Sequence, residues 1–593
     1  MLILTEKPSV AKDFAKALGC SFSSKEKCWT DTDKSILITN CVGHLFELEE
    51  PSFYDPKFKS WKYLPVIPER FEYRINPALK AAASTVGKLL KANKSKEILI
   101  ATDADREGEI IARECLMAYG ISDFSKIKRF WVSQALTPSV IKNGIRSASP
   151  RSDYNNLSDQ GFARQHSDWL VGINGTRFIT NKAGEVLPVG RVQTAVLNAI
   201  CERCDSINNF KSEEYFEIEG VFEDVPNGIF IKGLYSEDGK TRFRVFPEWT
   251  SDINKLKNIP CELISLKTTE KEELPPMLYN LNDLQKDAFR LYEFSAEKTL
   301  SVVQKLYEEY KCVSYPRTPS KVMGSDNVQM VKDLYSRFAS EIELYNSLQN
   351  EYEIKPSDKR HFNDEKLDSH HALIPLEILP SSATDDDSKI YFLILERFLL
   401  SFGLPCKYLQ TVAIVKADGK DFEIKGNQII EAGWKKHRRI QKPSPSSDDD
   451  ENIQFFSSVD WENLTLSYAK WHTKYTKAPK HFNEASILAF MENPKNEDDS
   501  KKLAGLGTSA TRHTFIPKLL KSKYIDLYGK NIIITEKGRH LLNLLKTSSM
   551  KNLCEISETT RWEEHLAQNP INFETDIKRY IAAAIANEER RGQ

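Results

Sequence analysis

The segment that most constrains the fold runs from residue 98 to residue 112, where an apolar run leads into alternating acids and then a helical pattern. Ile98–Ala101 predicts a buried strand, and Asp103, Asp105 and Glu107 follow it directly. Open α/β sheets bind ligands at this carboxyl edge. Carboxylates held close together repel one another unless a cation lies among them, and oxygen ligands that leave room for water suit Mg²⁺. The pattern therefore predicts a Mg²⁺ site; the alternative, a solvated acidic loop, is disfavoured by the flanking strand and helix.

The bulk composition is that of an ordinary multidomain protein. The chain has 593 residues and a net charge of −1, so a nucleic-acid interface would have to be a local basic surface. Ten cysteines are scattered, and the one C-x-x-C pair, Cys201 and Cys204, has no second pair that would complete a zinc site. The N-terminus lacks a signal-peptide pattern, and no apolar stretch is long enough to span a bilayer. We expect a cytoplasmic protein with no membrane partner.

The secondary-structure pattern changes several times along the chain. Residues 1 to about 150 alternate short strands with helices, among them a helix predicted at Glu109–Ala118, which predicts an α/β unit with a mostly parallel sheet. A helical stretch, a β-rich stretch, a longer helical stretch, further strands from about 410 and a final helical region follow. This order predicts discontinuous domains, in which a β-rich module is split by a helical insertion.

A second charged motif follows the opening strand. Glu6 and Lys7 lie just before a helix that begins near Ser9. A carboxylate beside an ammonium can supply an acid/base and a fixed positive charge. The alternative is a helix-capping turn with solvated charges. If this strand lies beside the strand before Asp103, Glu6 and Lys7 belong to the same sheet edge.

Two motifs in the second helical stretch contain reactive side chains. Tyr315 is separated from Arg317 by a proline that fixes the turn, and cations near a phenol can make it a nucleophile. Taken alone, Tyr315 would more often be a structural tyrosine. His370 and His371 form a pair for which phosphate contact or a structural role is favoured, because further metal ligands at a fixed spacing are missing.

Three further motifs predict contacts with a phosphate backbone. Arg164 and Asp168 are four residues apart, so they share a helix face; the pairing is either structural or holds Arg164 toward a backbone phosphate. Gly190 permits close backbone approach beside Arg191, Gln193 and Thr194. The segment 505–512, which ends in Arg512, is typical of a phosphate-binding turn that opens a helix. The chain contains no Walker A loop, so we expect no ATP hydrolysis by that fold.

Jointly, these motifs resemble those of the type IA DNA topoisomerases, from Met1 to about Lys546. Their order in the chain is Glu6-Lys7-Pro8-Ser9, Gly43-His44-Leu45, Asp103-x-Asp105-x-Glu107, Arg164-x-x-x-Asp168, Gly190-Arg191-Val192-Gln193-Thr194, Tyr315-Pro316-Arg317-Thr318, His370-His371-Ala372 and Gly505-x-Gly507-Thr508-x-Ala510-Thr511-Arg512. Arg129–Ser133 is similar to the end of the family's Toprim domain. Glu6–Ala11, the histidine pair and the lack of C-terminal zinc ribbons are closer to topoisomerase III than to topoisomerase I.

Three positions depart from the family pattern. Pro319 stands where aspartate is usual, Pro188 where serine is common, and Ala195 where proline is common. The first departure falls just past the candidate nucleophile and could alter its geometry. The stretch between Met491 and Gly505 is short, which puts in doubt the loop that helps topoisomerase III separate catenated DNA.

The resemblance implies a fold class of α/β plus α and β modules, arranged as a multidomain torus with an N-terminal Toprim domain. The implied domains are a Toprim domain at 1–150, a helical gate that binds single strands at 151–210 and 475–593, a β-rich arch at 211–276 and 405–474, and a helical domain with the nucleophilic tyrosine at 277–404.

The resemblance also implies an ATP-independent isomerase that cleaves one DNA strand through a 5′-phosphotyrosyl intermediate, passes a strand and religates. The implied catalytic residues are Tyr315, Glu6, Lys7, Arg317 and His370. The implied Mg²⁺ ligands are Asp103, Asp105, Glu107 and Glu6. The implied DNA-binding residues are Arg164, Asp168, Arg191, Gln193, Thr194 and Arg512.

The implied substrate is negatively supercoiled or catenated DNA with single-stranded segments, handled by a monomer associated with the nucleoid. A helicase partner is left open. Two other classes stay open at this stage. Nucleases and primases also use Toprim carboxylates but do not need Tyr315, and a DNA-binding scaffold descended from a topoisomerase would need none of the catalytic set.

Overall fold

The computed structural model describes residues 1–132, 136–349, 352–367, 370–440, 454–455, 459–494, 504–509 and 511–592. Two positions of the motifs above, Ser133 and Ala510, lie outside the described residues, as do Asp368 and Ser369 just before the histidine pair. No helix of the described part combines the length and apolar character needed to cross a membrane.

Residues 1–150 form a seven-stranded sheet with helices packed on it. The strands are β1 (Leu2–Thr5), β2 (Ser21–Ser23), β3 (Cys28–Thr30), β4 (Leu37–Asn40), β5 (Phe46–Leu48), β6 (Tyr73–Ile75), β7 (Ile98–Ala101), β8 (Ile127–Arg129) and β9 (Ser149–Pro150), and the helices are α1 (Pro8–Leu18), α2 (Pro51–Tyr54), α3 (Lys80–Ala92), α4 (Arg106–Ala118) and α5 (Pro138–Arg146). The strand order is β2-β3-β4-β1-β7-β8-β9, while β5 and β6 pair separately. The four central strands are parallel, which confirms the predicted α/β unit with its mostly parallel sheet.

Two long helices follow, and then the chain enters a second sheet. The helices are α6 (Asn155–Ala183) and α7 (Arg191–Asn208), and the strands are β10 (Glu214–Asp224), β11 (Ile229–Tyr235), β12 (Ile259–Pro260) and β13 (Glu262–Glu273). A helical stretch comes next, with α8 (Leu281–Tyr292), α9 (Ala296–Glu308), α10 (Val328–Glu341) and α11 (Asp385–Ser401).

The chain then returns to the second sheet through β14 (Cys406–Ala417), β15 (Lys420–Glu431), β16 (Gln454–Phe455) and β17 (Leu464–Tyr475). That sheet has the order β12-β17-β10-β11-β15-β14-β13, and β16 pairs with β15. The last elements are α12 (Glu484–Glu492), α13 (Phe515–Lys521), β18 (Ile525–Tyr528), β19 (Asn531–Ile534), α14 (Glu536–Lys546), α15 (Ile556–Gln568) and α16 (Pro570–Gly592).

Buried apolar side chains separate these elements into distinct cores. The N-terminal sheet has one core on each face. A second group joins α6 and α7 to the C-terminal helices, with members between residues 163 and 204 and between 482 and 585. The helical stretch 278–402 has its own core, and the second sheet packs a core drawn from residues 218–256 and 413–469. Because burial of apolar surface is the main stabilising term, each group is held together largely from within.

Candidate active site

Parallel pairing in the N-terminal sheet brings two of the predicted motifs to one edge. β1 and β7 are neighbours, with Thr5 opposite Ala101, so the residues that follow each strand emerge together. The backbone N–H of Asp103 donates to Oε2 of Glu6 at 3.2 Å, and Nζ of Lys7 lies 3.1 Å from Oδ2 of Asp103. Glu6 and Lys7 therefore join the acidic edge, as expected if the two strands lie side by side.

The acidic motif itself opens helix α4. Asp105 is the N-cap, and its Oδ1 accepts a hydrogen bond from the N–H of Gly108 at 2.7 Å. The helix begins at Arg106, three residues before the predicted Glu109, because this cap satisfies an N–H that the first turn would otherwise leave unpaired. Glu107 consequently lies in the first turn of α4, where the positive end of the helix dipole favours a carboxylate.

Tyr315 reaches the same edge from the helical stretch. Its Oη donates a 2.9 Å hydrogen bond to Oδ2 of Asp103, and its side chain is almost fully buried. The ring of His370 lies 4.2 Å from the Tyr315 ring, centroid to centroid, and that of Tyr307 packs edge-on at 5.6 Å. The residues just before Tyr315 are fixed by the segment at 374–375. Val313 forms a β-bridge with Pro375, and the N–H of Ser314 donates to the carbonyl of Ile374. The phenol therefore has a fixed position beside the acidic edge.

Two polar side chains beside Tyr315 have atoms with no hydrogen-bond partner among the described residues. They are Nε of Arg317 and both ring nitrogens of His370, all of them buried. Buried polar atoms normally have partners, and exceptions need an explanation. A phosphate group next to the phenol would supply acceptors for Nε–H of Arg317 and for the one N–H of the neutral His370 ring.

The electrostatics of the site are dominated by burial and by crowded charges. Burial and the neighbouring Asp103 raise the pKa of Glu6 to about 8. Burial alone would lower the pKa of Lys7, but the charges of Asp103 and Glu6 outweigh it and keep that pKa above its usual value. Burial raises the pKa of Tyr315 well above its usual value, and the negative charge of Asp103 adds to this. Burial lowers the pKa of His370 to about 3, so its ring is neutral near pH 7.

The donor set at this edge fits Mg²⁺ by its chemistry. Asp103, Asp105, Glu107 and Glu6 offer carboxylate oxygens, the ligands that hard cations prefer. Burial and the charge of Asp103 raise the pKa of Asp105 as well as that of Glu6, and a divalent cation would relieve this crowding. The described residues contain no group of three side chains already arranged around a common metal position. One oxygen of each carboxylate accepts a hydrogen bond from the protein itself, so binding would require local side-chain rearrangement.

Sequence reasoning gave no role to two residues that contact this set. The ring of His44 joins Oε1 of Glu107 (2.8 Å) to Oε2 of Glu114 (2.9 Å), and these hydrogen bonds outweigh burial and raise its pKa to about 10. Glu308, at the end of α9, lies 3.5 Å from Nζ of Lys7. The Gly43-His44-Leu45 turn was a visible motif without an assigned role. Glu308 lies within a helical pattern and gave no local signal.

The predicted DNA-binding residues cluster around α6 and the start of α7. Nε of Arg191 donates to Oδ1 of Asp168 at 2.8 Å, and NH2 of Arg164 lies 3.4 Å from Oγ1 of Thr511. Arg191 is buried and its NH1 also pairs with Glu563 at 2.6 Å. Thr194 is buried as well, and its hydroxyl accepts the N–H of Gly190 at the helix N-terminus. Gln193 is half-buried and Asp168 is exposed, so these two reach the surface.

The 505–512 turn brings Arg512 into the same region. Nε of Arg512 donates to the carbonyl of Leu506 at 3.1 Å, and the side chain is buried. A short 3-10 turn and then α13 follow, in agreement with a turn that opens a helix. Arg512 therefore stabilises the turn from within.

The departures from the family pattern fit their surroundings. Pro319 is exposed, and its carbonyl accepts a 3.1 Å hydrogen bond from the Asn280 amide. The carbonyl of Pro188 accepts from the Tyr524 hydroxyl at 3.1 Å, and Ala195 is fully buried in α7. None of the three displaces Tyr315 from Asp103.

A parallel sheet with an acidic edge, closed by a buried tyrosine from a separate helical unit, is the arrangement that the resemblance to Toprim-containing topoisomerases leads us to expect. The Toprim domain model matches residues 1–135, and the DNA topoisomerase family model matches residues 152–569. The chain belongs to the type IA DNA topoisomerases, which are isomerases, and the predicted class is confirmed.

Relatives and a solved structure agree with this assignment. The DNA topoisomerase 3 proteins of Bacillus thuringiensis (strain Al Hakam) and Bacillus subtilis (strain 168) are each 34% identical to this chain, covering 95% of it and 78% of their own length. The full-length topoisomerase I of Thermotoga maritima superposes with a TM-score of 0.74 at 20% identity, covering 99% of this chain and 90% of that one. The likeness to the Thermotoga structure shows that this chain has the multidomain fold. The names of the Bacillus relatives agree with the topoisomerase III-like motifs.

Proposed function

We propose that Tyr315 is the nucleophile that cleaves one DNA strand, and that Glu6, Lys7, Arg317 and His370 assist it. The observation that carries the proposal is the 2.9 Å hydrogen bond from the Tyr315 hydroxyl to Asp103, beside the Lys7 ammonium. A phenol so placed has its nearest proton acceptor in contact and a fixed cation within reach of the phosphate that it attacks.

The reaction replaces one phosphoester bond by another, so it needs no ATP. The phenol of Tyr315 gives its proton to Asp103, which already accepts its hydrogen bond, and the phenol oxygen forms a bond to phosphorus. The bond from phosphorus to the 3′-oxygen breaks, and a 5′-phosphotyrosyl link and a 3′-hydroxyl result. Lys7 and Arg317 stabilise the charge on the phosphate, as preorganised cations do in phosphoryl transfer. Glu6, whose pKa of about 8 keeps it protonated near pH 7, gives its proton to the 3′-oxygen and recovers it on religation. Nε–H of Arg317 and the one protonated ring nitrogen of His370 donate to the phosphate oxygens.

The proposed cofactor is Mg²⁺, held by Asp103, Asp105 and Glu107, with Glu6 as a ligand only while it is deprotonated, after it has given its proton to the 3′-oxygen. When bound, it would neutralise the crowded carboxylates and help to organise the scissile strand. Displacement of His44 from Glu107, or of Lys7 from Asp103, would free the oxygens for this role.

We propose that the strand runs along the N-terminal part of α7 and the exposed side of α6. Asp168 and Gln193 contact it at the surface, with Arg164 beside them. Three further residues are buried beneath this surface and position it. Arg191 fixes Asp168, Thr194 fixes the N-terminus of α7, and Arg512 fixes the 505–512 turn.

The four-part division is part of the proposal: Toprim at 1–150, gate at 151–210 and 475–593, arch at 211–276 and 405–474, and tyrosine-bearing domain at 277–404. The separate apolar cores support these boundaries. We further propose a monomer that acts on negatively supercoiled or catenated DNA in the nucleoid, with a helicase as a possible class of partner.

One assay pair tests the chemistry and the role together. Relaxation of negatively supercoiled plasmid and separation of catenated circles are compared on one preparation, with Mg²⁺ and no ATP. The proposal expects relaxation, and a denaturant quench should leave protein on the 5′ end of the cleaved strand. Free 5′-phosphates would indicate a nuclease, and no strand breakage at all would indicate a scaffold. The ratio of the two activities decides whether relaxation or decatenation is the main role.

A further inference from the structure

A cluster of basic side chains lies on the second sheet, outside the candidate active site. β10 and β17 pair antiparallel, with Glu217 opposite His472 and Glu219 opposite Lys470. Ile218 is fully buried in the core of this sheet. Because successive side chains of a strand point to opposite faces, Glu217 and Glu219 lie on the face that is turned away from that core.

Cations gather around these two carboxylates. Glu217 contacts Arg242 at 3.1 Å and Lys474 at 2.8 Å. Glu219 contacts Lys470 at 3.2 Å, and Lys232 and His472 lie at 3.5 and 3.8 Å from it. The arch cluster, defined as these two glutamates with Lys232, Arg242, Lys470, His472 and Lys474, thus has four fixed positive charges against two negative ones.

The arrangement exceeds what ion pairing within the fold requires. One cation beside each glutamate would neutralise both, yet each has at least two. The cationic side chains remain between 37% and 70% exposed, so their charged ends reach solvent. Exposed ion pairs contribute little to stability, about 0–1 kcal/mol each, so the stability of the sheet gives a weak reason for the surplus.

The spacing of the cluster fits a polyanion. Residues 470, 472 and 474 lie on one face of β17, where alternate side chains are about 6.6 Å apart. Two lysines on one strand face, with a histidine between them that can also donate a hydrogen bond, can contact a phosphate backbone without reading its sequence. The whole chain has a net charge of −1, so this positive field is local.

We propose that the arch cluster is a second DNA-binding site, which holds the phosphate backbone of DNA away from the acidic edge and Tyr315. Short connections join β10 to α7 and β17 to α12, so the site lies on the strands that lead into the gate. The inference rests on the proposed DNA substrate but on none of the catalytic roles.

The test measures binding without cleavage, in EDTA, so its result does not depend on the proposed chemistry. Lys470→Gln/Lys474→Gln removes two cations and keeps most of each side chain. The matched control is Lys267→Gln/Lys271→Gln, which removes two exposed cations from β13 of the same sheet. Fluorescence anisotropy gives the dissociation constants of a labelled 30-residue duplex and of a single strand between 50 and 200 mM salt, all chosen as assay conditions.

For a duplex, the slope of log affinity against log salt should become shallower by about 1.8, and for a single strand by about 1.4, since each lost phosphate contact removes roughly 0.9 or 0.7. The ligand that shows the change is the one that the site holds. The control should keep the wild-type slope, and so should Lys470→Arg/Lys474→Arg. Equal slopes for the glutamine variant and wild type on both ligands would overturn the proposal. Circular dichroism checks that each variant is folded; if the glutamine variant is not, Lys232→Gln is measured instead, with half the expected change.

Discussion

The hydroxyl of Tyr315 donates a 2.9 Å hydrogen bond to Asp103, a residue 212 positions away in the sequence. The bond joins the helical stretch to the N-terminal sheet, and a second pair, Lys311 with Asp13 at 2.5 Å, joins the same two parts nearby. A DNA strand can reach the phenol only if its phosphate takes over contacts that the protein now makes with itself.

Replacing the phenol oxygen should end catalysis without unfolding the protein. Tyr315→Phe keeps the ring packing against His370 and Tyr307 but removes the nucleophile. We expect no relaxation of supercoiled plasmid and no protein–DNA adduct after a denaturant quench. Tyr528→Phe, at an exposed tyrosine, is the control and should match wild type. Full relaxation by Tyr315→Phe would show that another group is the nucleophile.

Removing the Lys7 ammonium should slow cleavage strongly. Lys7→Met leaves Asp103 without its 3.1 Å cation and the phosphate without a fixed positive charge. Loss of one preorganised group of this kind costs about 100- to 1000-fold in rate, and we expect a fall in that range for single-turnover cleavage of an oligonucleotide. Lys12→Met changes an exposed lysine on the same helix and should have little effect. A fall of less than threefold in Lys7→Met would remove Lys7 from the mechanism.

The acidic loop depends on a buried arginine behind it. Arg129 is fully buried, its Nε donates to Glu109 at 2.9 Å, and NH1 donates to the carbonyl of Thr102 at 2.8 Å. Arg129→Met would leave Glu109 with only Arg113 and would free the loop carbonyl. Breaking a buried pair costs about 3–5 kcal/mol, so the unfolding midpoint in urea should fall clearly. Arg146→Met, at an exposed arginine, is the control. An unchanged midpoint for Arg129→Met would show that this network does not stabilise the domain.

Gly108 has no room for a side chain. A Cβ there would lie 2.3 Å from the carbonyl oxygen of Asp103, which is backbone and cannot move away cheaply. Gly108→Ala should therefore destabilise the protein by about 1–3 kcal/mol and reduce cleavage, because the Asp103 loop must shift. Gly172→Ala is a matched helical glycine whose Cβ would meet nothing closer than 3.9 Å, and it should stabilise by up to about 1 kcal/mol. Equal stability of the two variants, measured by thermal unfolding, would contradict this account.

Removing the metal should show that the activity depends on Mg²⁺ and not on ATP. Treatment with EDTA should abolish relaxation, and Mg²⁺ added back should restore it with no ATP present, since the donor set consists of hard oxygen ligands. Asp105→Asn should raise the Mg²⁺ concentration needed for half-maximal activity. Activity that persists in EDTA, or that requires ATP, would contradict the proposed cofactor.

Much of the secondary structure of the N-terminal unit could be predicted from local sequence patterns. The apolar run before Asp103 predicted β7, and the strand lies where the pattern indicated, with the acids directly after it. The start of α4 differed by three residues because the Asp105 cap extends the helix, and cap geometry is not readable from periodicity alone.

The long-range contacts of the candidate site could not be predicted from local sequence patterns. Nothing near Tyr315 indicates that it meets Asp103, and only the joint order of the motifs implied this. Glu308 beside Lys7 and His44 between Glu107 and Glu114 depend on how separate elements pack. Likewise, the burial of Arg191 and Arg512 was not apparent, because a charged residue is usually exposed unless a partner elsewhere in the fold neutralises it.

The core that joins α6 and α7 to the C-terminal helices has a consequence for biosynthesis. Its first half ends near Cys204 and its second half begins near Phe482, so roughly 280 residues are made between them. At ribosomal speeds of about 5–20 residues per second, the apolar sides of α6 and α7 are made on the order of 15–55 seconds before the C-terminal helices that cover them. During that interval these apolar sides lack the C-terminal side chains that bury them in the folded protein.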